Sequence, residues 1–283
     1  MERRKESVKK NKFPMDIWLG CSILLIVVVF CSGCKSSVEP ENGLPIDSRI
    51  TISPQENLSS QPRELILSCS TEKVYNCTNY SINNVVRFDT TSILIRFTSI
   101  TVPPDCPRAN GSATASIVLG ALAPGTYQLS MLINGQTFEG ALIVSSASYE
   151  FSNLDFAEVV VTTGILMRVP VHAHWGSVAY TTPSAATLAR SFVDSLHSLG
   201  AVALTASAGE YGYFQVDSLG NVVRPNYLGT SFALTFIQSY AGDISTLHEL
   251  VRRYGVRYGD LLSIRLFAST GESFYSWAPE AQN

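Results

Sequence analysis

Residues 127–138, with the sequence YQLSMLINGQTF, predict a β-hairpin that sets the pattern for the residues around it. An Asn-Gly pair between two alternating runs is typical of a two-residue type I′ turn, because both central residues need a positive φ. Leu129, Met131 and Ile133 fall on one face of the first strand, since side chains alternate across a strand. This part of the chain is therefore expected to form β-structure with one buried face.

The hairpin belongs to a series of short alternating runs that are separated by turn residues. Seven short strands within about 100 residues favour a β-sandwich. The stretch APGTY at 123–127 resembles the turn before a late strand of many bacterial immunoglobulin-like modules, and that resemblance implies a spacer or docking domain over residues 49–148. The predicted strands are 50–53, 64–70, 85–89, 92–98, 113–119, 126–133 and 136–144.

After Tyr149 the apolar period changes and predicts two one-sided helices. The first is expected between a capping Thr182 and Gly200, and the second between a capping Asp243 and Gly255. The order strand, helix, strand, strand, helix, strand is that of a split βαβ arrangement. The predicted strands of this sheet are 173–181, 202–217, 231–240 and 261–268, and 157–170 is expected to be a joining hairpin.

These patterns together predict an α+β fold. An immunoglobulin-like β-sandwich at 49–148 would be followed by a ferredoxin-like domain at 149–283, with both helices on one face of its sheet. A fold of this kind carries no function by itself, so function has to be sought in particular residues.

Aromatic residues suggest one candidate recognition surface. Alternation along the strands places Trp175, Tyr211 and Tyr213 on the sheet face away from the helices, and Phe214 and Val216 on the face that the helices cover. Packing of these rings against the first domain or against the 157–170 hairpin is the favoured interpretation. The alternative is a stacking platform for a carbohydrate, which requires the rings to be exposed.

Residues with chemical potential do not form a recognisable catalytic motif. His172 and His174 are two apart and weakly suggest a metal site, with Glu210 or Glu249 as a third ligand, but a hydrogen-bonded pair is favoured. Glu210 and Glu272 are the candidates for a glycosidase pair. The cluster Asp194, Ser195, His197 and Ser198 is interpreted as the polar face of a helix. We predict no catalytic residue, no bound metal and no cofactor.

Cysteines in the exported part of the chain predict one disulfide. Cys77 and Cys106 lie in polar, turn-rich stretches, where a disulfide would join two loops. Cys69 lies in a strand-like run and is expected to be a small buried apolar residue. The prediction is therefore a disulfide between Cys77 and Cys106 and a free thiol at Cys69.

The N-terminal segment has the order of features of an export signal. Basic residues precede an apolar run at 17–30, which is shorter than the ~20 residues that a membrane-spanning helix needs. The following Cys31-Ser-Gly-Cys34 resembles the lipobox of bacterial lipoprotein precursors, with Cys31 where leucine is usual. The resemblance implies that residues 1–33 are removed and that Cys34 is acylated. Residues 34–48, rich in Pro, Gly and Ser, would form a tether.

Charge and composition restrict the partners. Removing residues 1–33 takes away six of the 20 Lys and Arg and three of the 23 Asp and Glu, which leaves a formal charge of −6. An acidic exported chain does not suit nucleic acid. Because Lys35 stands where Asp marks inner-membrane retention in many Gram-negative lipoproteins, the outer membrane is the expected location.

The sequence thus predicts a non-catalytic, lipid-anchored module of the cell envelope that binds a partner or supports an assembly. The expected partners are the membrane, through the lipid anchor, and an envelope protein or a glycan. A carbohydrate-binding surface protein is the alternative, and a hydrolase or metal-binding enzyme is the less favoured one.

Overall fold

The computed structural model describes residues 43–107, 109–223 and 232–277, so the predicted leader and Cys34 lie outside the described residues. This part of the protein is mostly β, with 50% of its residues in strands and 14% in helices. The strands begin with β1 (Ile50–Asn57), β2 (Glu64–Tyr75), β3 (Ser81–Asp89), β4 (Ser92–Thr101), β5 (Gly111–Gly120), β6 (Gly125–Ile133), β7 (Gln136–Val144), β8 (Ser148–Ser152), β9 (Val159–Val161) and β10 (Ile165–Met167). They continue with β11 (Ala173–Tyr180), β12 (Val202–Ala203), β13 (Gly209–Glu210), β14 (Gln215–Val216), β15 (Val222–Val223), β16 (Phe232–Ser239), β17 (Leu262–Ala268) and β18 (Ser273–Tyr275).

Thirteen of the described strands form one mixed sheet, in the order β15-β14-β13-β10-β8-β7-β6-β4-β3-β5-β2-β1-β9. This large sheet folds over on itself, because β1 and β8 are far apart in that order and yet Tyr149 of β8 donates a hydrogen bond to Glu56 of β1 at 3.3 Å. Its inward-facing side chains, from Ile50 to Leu166, make one continuous apolar core. Burial of this core is the main stabilising contribution to the fold.

β1 extends beyond the predicted range 50–53, because Pro54 does not interrupt the hydrogen bonds between β1 and its neighbouring strands. The backbone groups of Ile50 and Ile52 face β9, through Ile50 N–H to Glu158 O at 2.8 Å and Thr162 N–H to Ile52 O at 2.9 Å. Pro54 faces the same side, beyond the last residue of β9, where no strand needs its missing N–H. The strand therefore continues to Asn57 and brings the next inward-facing residue, Glu56, into the core.

The remaining five strands form a small antiparallel sheet in the order β12-β16-β11-β17-β18. Helices α1 (Ala186–Ser198) and α2 (Ile244–Tyr258) cover one face, and a short 3-10 helix (Pro183–Ala185) precedes α1. The other face packs against Tyr211, Phe214 and Val216, which belong to or flank β13 and β14 of the large sheet. The large sheet covers the part of this second face around Trp175, whereas Ala233 and Arg265 on the same face are exposed.

Both helices lie where the apolar period predicts them, and their ends differ in detail. Asp243 caps α2 by accepting a hydrogen bond from Ser245 N–H at 2.9 Å, whereas Thr182 makes no side-chain cap. The predicted end of α2 at Gly255 is wrong, because the helix continues to Tyr258. Gly255 allows close packing instead, since a Cβ atom there would lie 2.2 Å from the carbonyl oxygen of Ser276.

The predicted α+β fold, an immunoglobulin-like sandwich followed by a ferredoxin-like domain, is wrong. The protein is mostly β, and strands from both predicted regions lie in one 13-stranded mixed sheet. The segment 202–217 was expected to be one strand, but Gly209 (φ 151°) and Gly212 (φ 79°) turn the chain away. Only Val202–Ala203 stays with the small sheet, and 209–223 joins the large one. Residues 40–283 form one compact unit.

Candidate functional site

The three candidate aromatic residues lie in the apolar cluster between the two sheets. Trp175 is 0% exposed and Tyr211 is 2% exposed, and Tyr213 is half-buried. The Trp175 ring centroid is 4.8 Å from that of Phe214 and 6.0 Å from those of Tyr213 and Phe267. Tyr213 also donates a hydrogen bond to the carbonyl oxygen of Glu56 at 2.5 Å. These rings hold the sheets together and cannot offer a stacking platform to a carbohydrate.

The predicted orientation of this region was correct for β11 and wrong for Phe214 and Val216. Val178 faces the helices and Trp175 faces away, as alternation along β11 requires. Phe214 and Val216, however, pack beside Trp175 and not against the helices. The reason is the change of sheet at Gly209, which carries the whole 211–217 segment to the opposite side of β11.

The two histidines are placed differently and form no metal site. His174 is buried, and its Nδ1 lies 3.0 Å from the carbonyl oxygen of His172, which also accepts from Tyr240 N–H at 3.0 Å. Burial is the main cause that lowers the pKa of His174. His172 precedes the strand with a positive φ of 61° and an exposed side chain. Among the described residues, no three potential metal ligands converge.

The other candidate groups are engaged in local structure. Glu210 accepts from Gly212 N–H at 2.9 Å, and Glu272 accepts from the hydroxyl of Thr270, so each carboxylate closes its own turn. Ser195 and Ser198 of α1 donate to the carbonyl oxygens of Ser191 and Asp194 at 2.7 and 2.9 Å, which is the usual one-turn back-bond of helical serine. None of these contacts activates a nucleophile.

A disulfide joins Cys77 and Cys106, whose Cα atoms are 5.3 Å apart. It links the loop after β2 to the loop after β4, at the end of the large sheet where the described chain begins. Cys69 has a free thiol and faces the core, where burial raises its pKa to about 12. The Cys69 thiol is therefore protonated at neutral pH and unreactive.

The most elaborate polar cluster surrounds Glu56, which is 1% exposed. Its Oε1 accepts from Arg168 Nε at 2.8 Å and from the Tyr149 hydroxyl at 3.3 Å. Its Oε2 accepts from Val169 N–H at 3.0 Å and from Arg63 at 3.3 Å. Burial, followed by the Glu56 carboxylate, raises the pKa of Tyr149 to about 12, so the phenol stays protonated and remains a donor.

The Glu56 cluster joins the two sheets. Arg63, in the turn after β1, donates to the carbonyl oxygens of Val169 and, at 2.8 Å, Ser269. Ser269 follows β17 of the small sheet, whereas Glu56 and Arg63 belong to the β1–β2 hairpin of the large sheet. Because both oxygens of Glu56 are already saturated with donors, the cluster is a structural junction and has no free group for catalysis.

A solvent-open groove of about 520 Å³ lies between α1 and α2 and is called the helix groove below. The hydroxyl of Tyr254 in α2 connects the two helices within this groove, because it donates to Ser191 O at 2.9 Å and lies 2.9 Å from Ser195 Oγ. The groove is lined by Ser195, Ser198 and Leu199 of α1 and by Leu250, Arg253, Tyr254, Arg257 and Tyr258 of α2.

Two arginines give the helix groove a positive charge. Arg253 and Arg257 are exposed, and neither has a carboxylate within 4 Å among the residues that the structure describes. Like charges four residues apart on a helix destabilise it by about 0.2–0.5 kcal/mol. The guanidinium of Arg257 lies 5.2 Å from the ring centroid of Tyr258. The groove therefore combines aromatic and aliphatic walls with two cations that have no carboxylate within 4 Å in the part of the chain that the structure describes.

Sequence reasoning missed both the Glu56 cluster and the helix groove. Glu56 could have been found only by extending the inward-facing row of β1 past Pro54. The groove had a clearer signal, because Arg253 and Arg257 alternate with Tyr254 and Tyr258 at helical spacing on one flank of α2.

Comparison of the chain with protein-family profiles, curated proteins and solved structures finds no match. Within the described ranges, no helix is long and apolar enough to cross a bilayer.

Proposed function

We propose that the mature protein is a lipid-anchored, non-catalytic module of the cell envelope, attached through Cys34 to the outer membrane of a Gram-negative bacterium. The lipobox-like order of features at 17–34 supports the anchor. We also expect the large sheet to hold the small sheet away from the membrane. The position of the small sheet supports this expectation. It joins the large sheet at the last residues of β1, whereas the chain enters beside the first residues of β1.

The entry point is defined by strand register. Leu44 pairs with Ile100 in an isolated bridge, at the end of β4. The pairs Thr101–Ser81, Ser81–Thr114, Thr114–Ser70 and Ser70–Thr51 place that end of β4 level with the first residues of β1. The tether would therefore reach the sheet beside the start of β1.

The small sheet attaches at the other end of β1. Arg63 of the β1–β2 turn bonds to Ser269, and a Cβ atom on Gly271 would lie 2.3 Å from the hydroxyl oxygen of Ser59 in the same turn. β1 contains eight residues, which corresponds to about 25 Å at the usual rise of a strand. The large sheet thus acts as a spacer between the tether and the sheet that carries α1 and α2.

A pair of cysteine variants tests the anchor. In cells fed an alkyne-bearing fatty acid, the unaltered protein should carry the label and sediment with membranes. Cys34→Ser should lose the label and the cleavage of the leader, because the acylated thiol is the feature that the processing of lipoproteins requires. Cys31→Ser changes the neighbouring cysteine and should keep both, so it is the matched control. Label retained in Cys34→Ser, or absent from the unaltered protein, would reject the proposal.

A second variant tests the outer-membrane location. Lys35→Asp places aspartate after the acylated cysteine, which the lipoprotein resemblance associates with retention in the inner membrane. The variant should move from the outer-membrane to the inner-membrane fraction in a density gradient, whereas Lys35→Ser should not move. An unaltered protein that already sediments with the inner membrane contradicts the outer-membrane proposal and leaves the lipid anchor intact.

A further inference from the structure

We propose that the helix groove binds a small organic anion, with a carboxylate or phosphate held by Arg253 and Arg257 and an apolar body packed on Leu199 and Tyr254. This ligand site goes beyond the anchoring role, and its test does not require the anchor.

The charge of the groove favours an anion. Arg253 and Arg257 lie one helical turn apart and both line the groove, with no carboxylate within 4 Å among the described residues. A guanidinium is a planar donor that matches the two oxygens of a carboxylate or phosphate. Arg252, by contrast, already has its carboxylate in Glu249, which lies on the same helix at 2.7 Å.

The walls of the groove favour an apolar body on that anion. Leu199 of α1 and Leu250 of α2 both line the groove, and the rings of Tyr254 and Tyr258 complete its apolar surface. Two contacts hold the Tyr254 side chain in place. Its ring centroid is 5.2 Å from that of Phe192 in the core, and its hydroxyl donates a hydrogen bond to Ser191 O. A wall that is already rigid loses little conformational entropy when a ligand binds.

The size of the groove favours a small molecule over a macromolecular surface. A volume of about 520 Å³ falls within the ~300–1,000 Å³ range of small-ligand sites. The location also favours a soluble ligand over a lipid headgroup of the membrane that holds the anchor. The helices cover the sheet that joins at the β1–β2 turn, away from the Leu44–Ile100 entry point.

The test compares three ligands with the same eight-carbon chain by titration calorimetry. Because every residue that the structure describes lies at position 43 or later, the chain from residue 35 onward keeps the groove and can be used. Octanoate and octyl phosphate, kept below micelle-forming concentrations, should bind at least about tenfold more tightly than octan-1-ol, since only they offer charge-assisted hydrogen bonds. Equal binding of octan-1-ol, or no binding of either anion to the folded protein, would overturn the proposal.

Matched double variants locate the site. Arg253→Gln with Arg257→Gln should weaken octanoate binding about tenfold or more. Arg190→Gln with Arg252→Gln removes the same charge outside the groove, one residue from each helix, and should change the affinity for octanoate less than about twofold. Ser198→Trp should block the groove without changing charge and abolish binding. Circular dichroism verifies that each variant is folded. An equal loss of octanoate affinity in both double variants would contradict a site in the groove.

Sedimentation with lipid vesicles distinguishes a membrane ligand from a soluble one. Phosphatidylglycerol vesicles should not sediment the protein more than phosphatidylcholine vesicles do, if the site takes a soluble anion. Sedimentation with phosphatidylglycerol vesicles in the absence of octanoate and octyl phosphate binding would overturn the proposal in favour of a lipid surface.

Discussion

Glu56 Oε1 lies 2.8 Å from Nε of Arg168, a residue 112 positions later in the chain. The contact closes the large sheet over its core, because Glu56 belongs to β1 and Arg168 follows β10. A carboxylate that is 1% exposed is costly to bury unless donors surround it, and here four donors do. The cluster therefore stabilises one particular closure of the sheet and would oppose others.

Replacement of Glu56 by glutamine should lower the free energy of unfolding by about 3 kcal/mol. The amide keeps the shape of the side chain but leaves Arg63 and Arg168 without their common carboxylate. Guanidinium chloride unfolding, followed by circular dichroism, measures the change. Glu139→Gln removes an exposed carboxylate of β7 and should cost less than about 0.5 kcal/mol. A loss in Glu56→Gln no larger than that of Glu139→Gln would show that the cluster does not stabilise the fold.

Replacement of Arg63 by methionine should loosen the junction between the sheets while keeping the apolar stem. The carbonyl oxygens of Val169 and Ser269 lose their shared donor. Amide hydrogen exchange should then increase at Ser269, whose N–H bonds to Ala173 O at 2.8 Å, and remain unchanged in β6. Arg96→Met, on the outer face of β4, is the control. Unchanged exchange at Ser269 would mean that Arg63 does not connect the sheets.

Trp175 and Trp277 should respond differently to a soluble quencher. Trp277→Phe leaves Trp175, which is 0% exposed, as the only tryptophan after residue 33. Its fluorescence should be blue-shifted and resist iodide. Trp175→Phe leaves Trp277, which is 51% exposed and should be quenched readily. Similar quenching of both variants would show that Trp175 is exposed, as a stacking platform for a carbohydrate requires.

Stability should fall as pH is lowered from about 7 to 5. Burial lowers the pKa of His174 below its ordinary 6.5, so the unfolded chain takes up a proton at a higher pH than the folded protein does. His174 therefore contributes stability above pH 6.5 that is lost as pH falls towards its folded pKa. His174→Gln should reduce this slope in the free energy of unfolding.

The control for the pH series is His172→Asn, because asparagine tolerates the positive φ of 61° at that position. This variant should keep the slope of the unaltered protein. If His174→Gln and His172→Asn give the same pH dependence as the unaltered protein, His174 is not the group that titrates.

Local elements could be predicted from the sequence because their signals are local. The Asn134–Gly135 hairpin is present, with φ values of 51° and 81°, and its strands β6 and β7 have nearly the predicted bounds. The stripes of α1 and α2 also predicted the helices, since burial of one face determines the period. Predictions of this kind depend only on residues within one or two turns.

Long-range pairing could not be predicted in the same way. The parallel pairs β4–β6 and β1–β9 join strands whose apolar patterns would fit several partners. The turn at Gly209 and Gly212 transfers 209–223 to the large sheet, and this reversed the predicted side for Phe214 and Val216. Glu56 was missed for a related reason, because a charged residue after a proline is typical of a loop until its distant donors are known.

Mass spectrometry of the N-terminal peptide from the purified mature protein is the most direct test of the lipid anchor. We expect a chain that begins at Cys34, with acyl groups on that residue and no peptide from residues 1–33. A peptide that still contains Met1, or an unmodified cysteine at position 34, would contradict it.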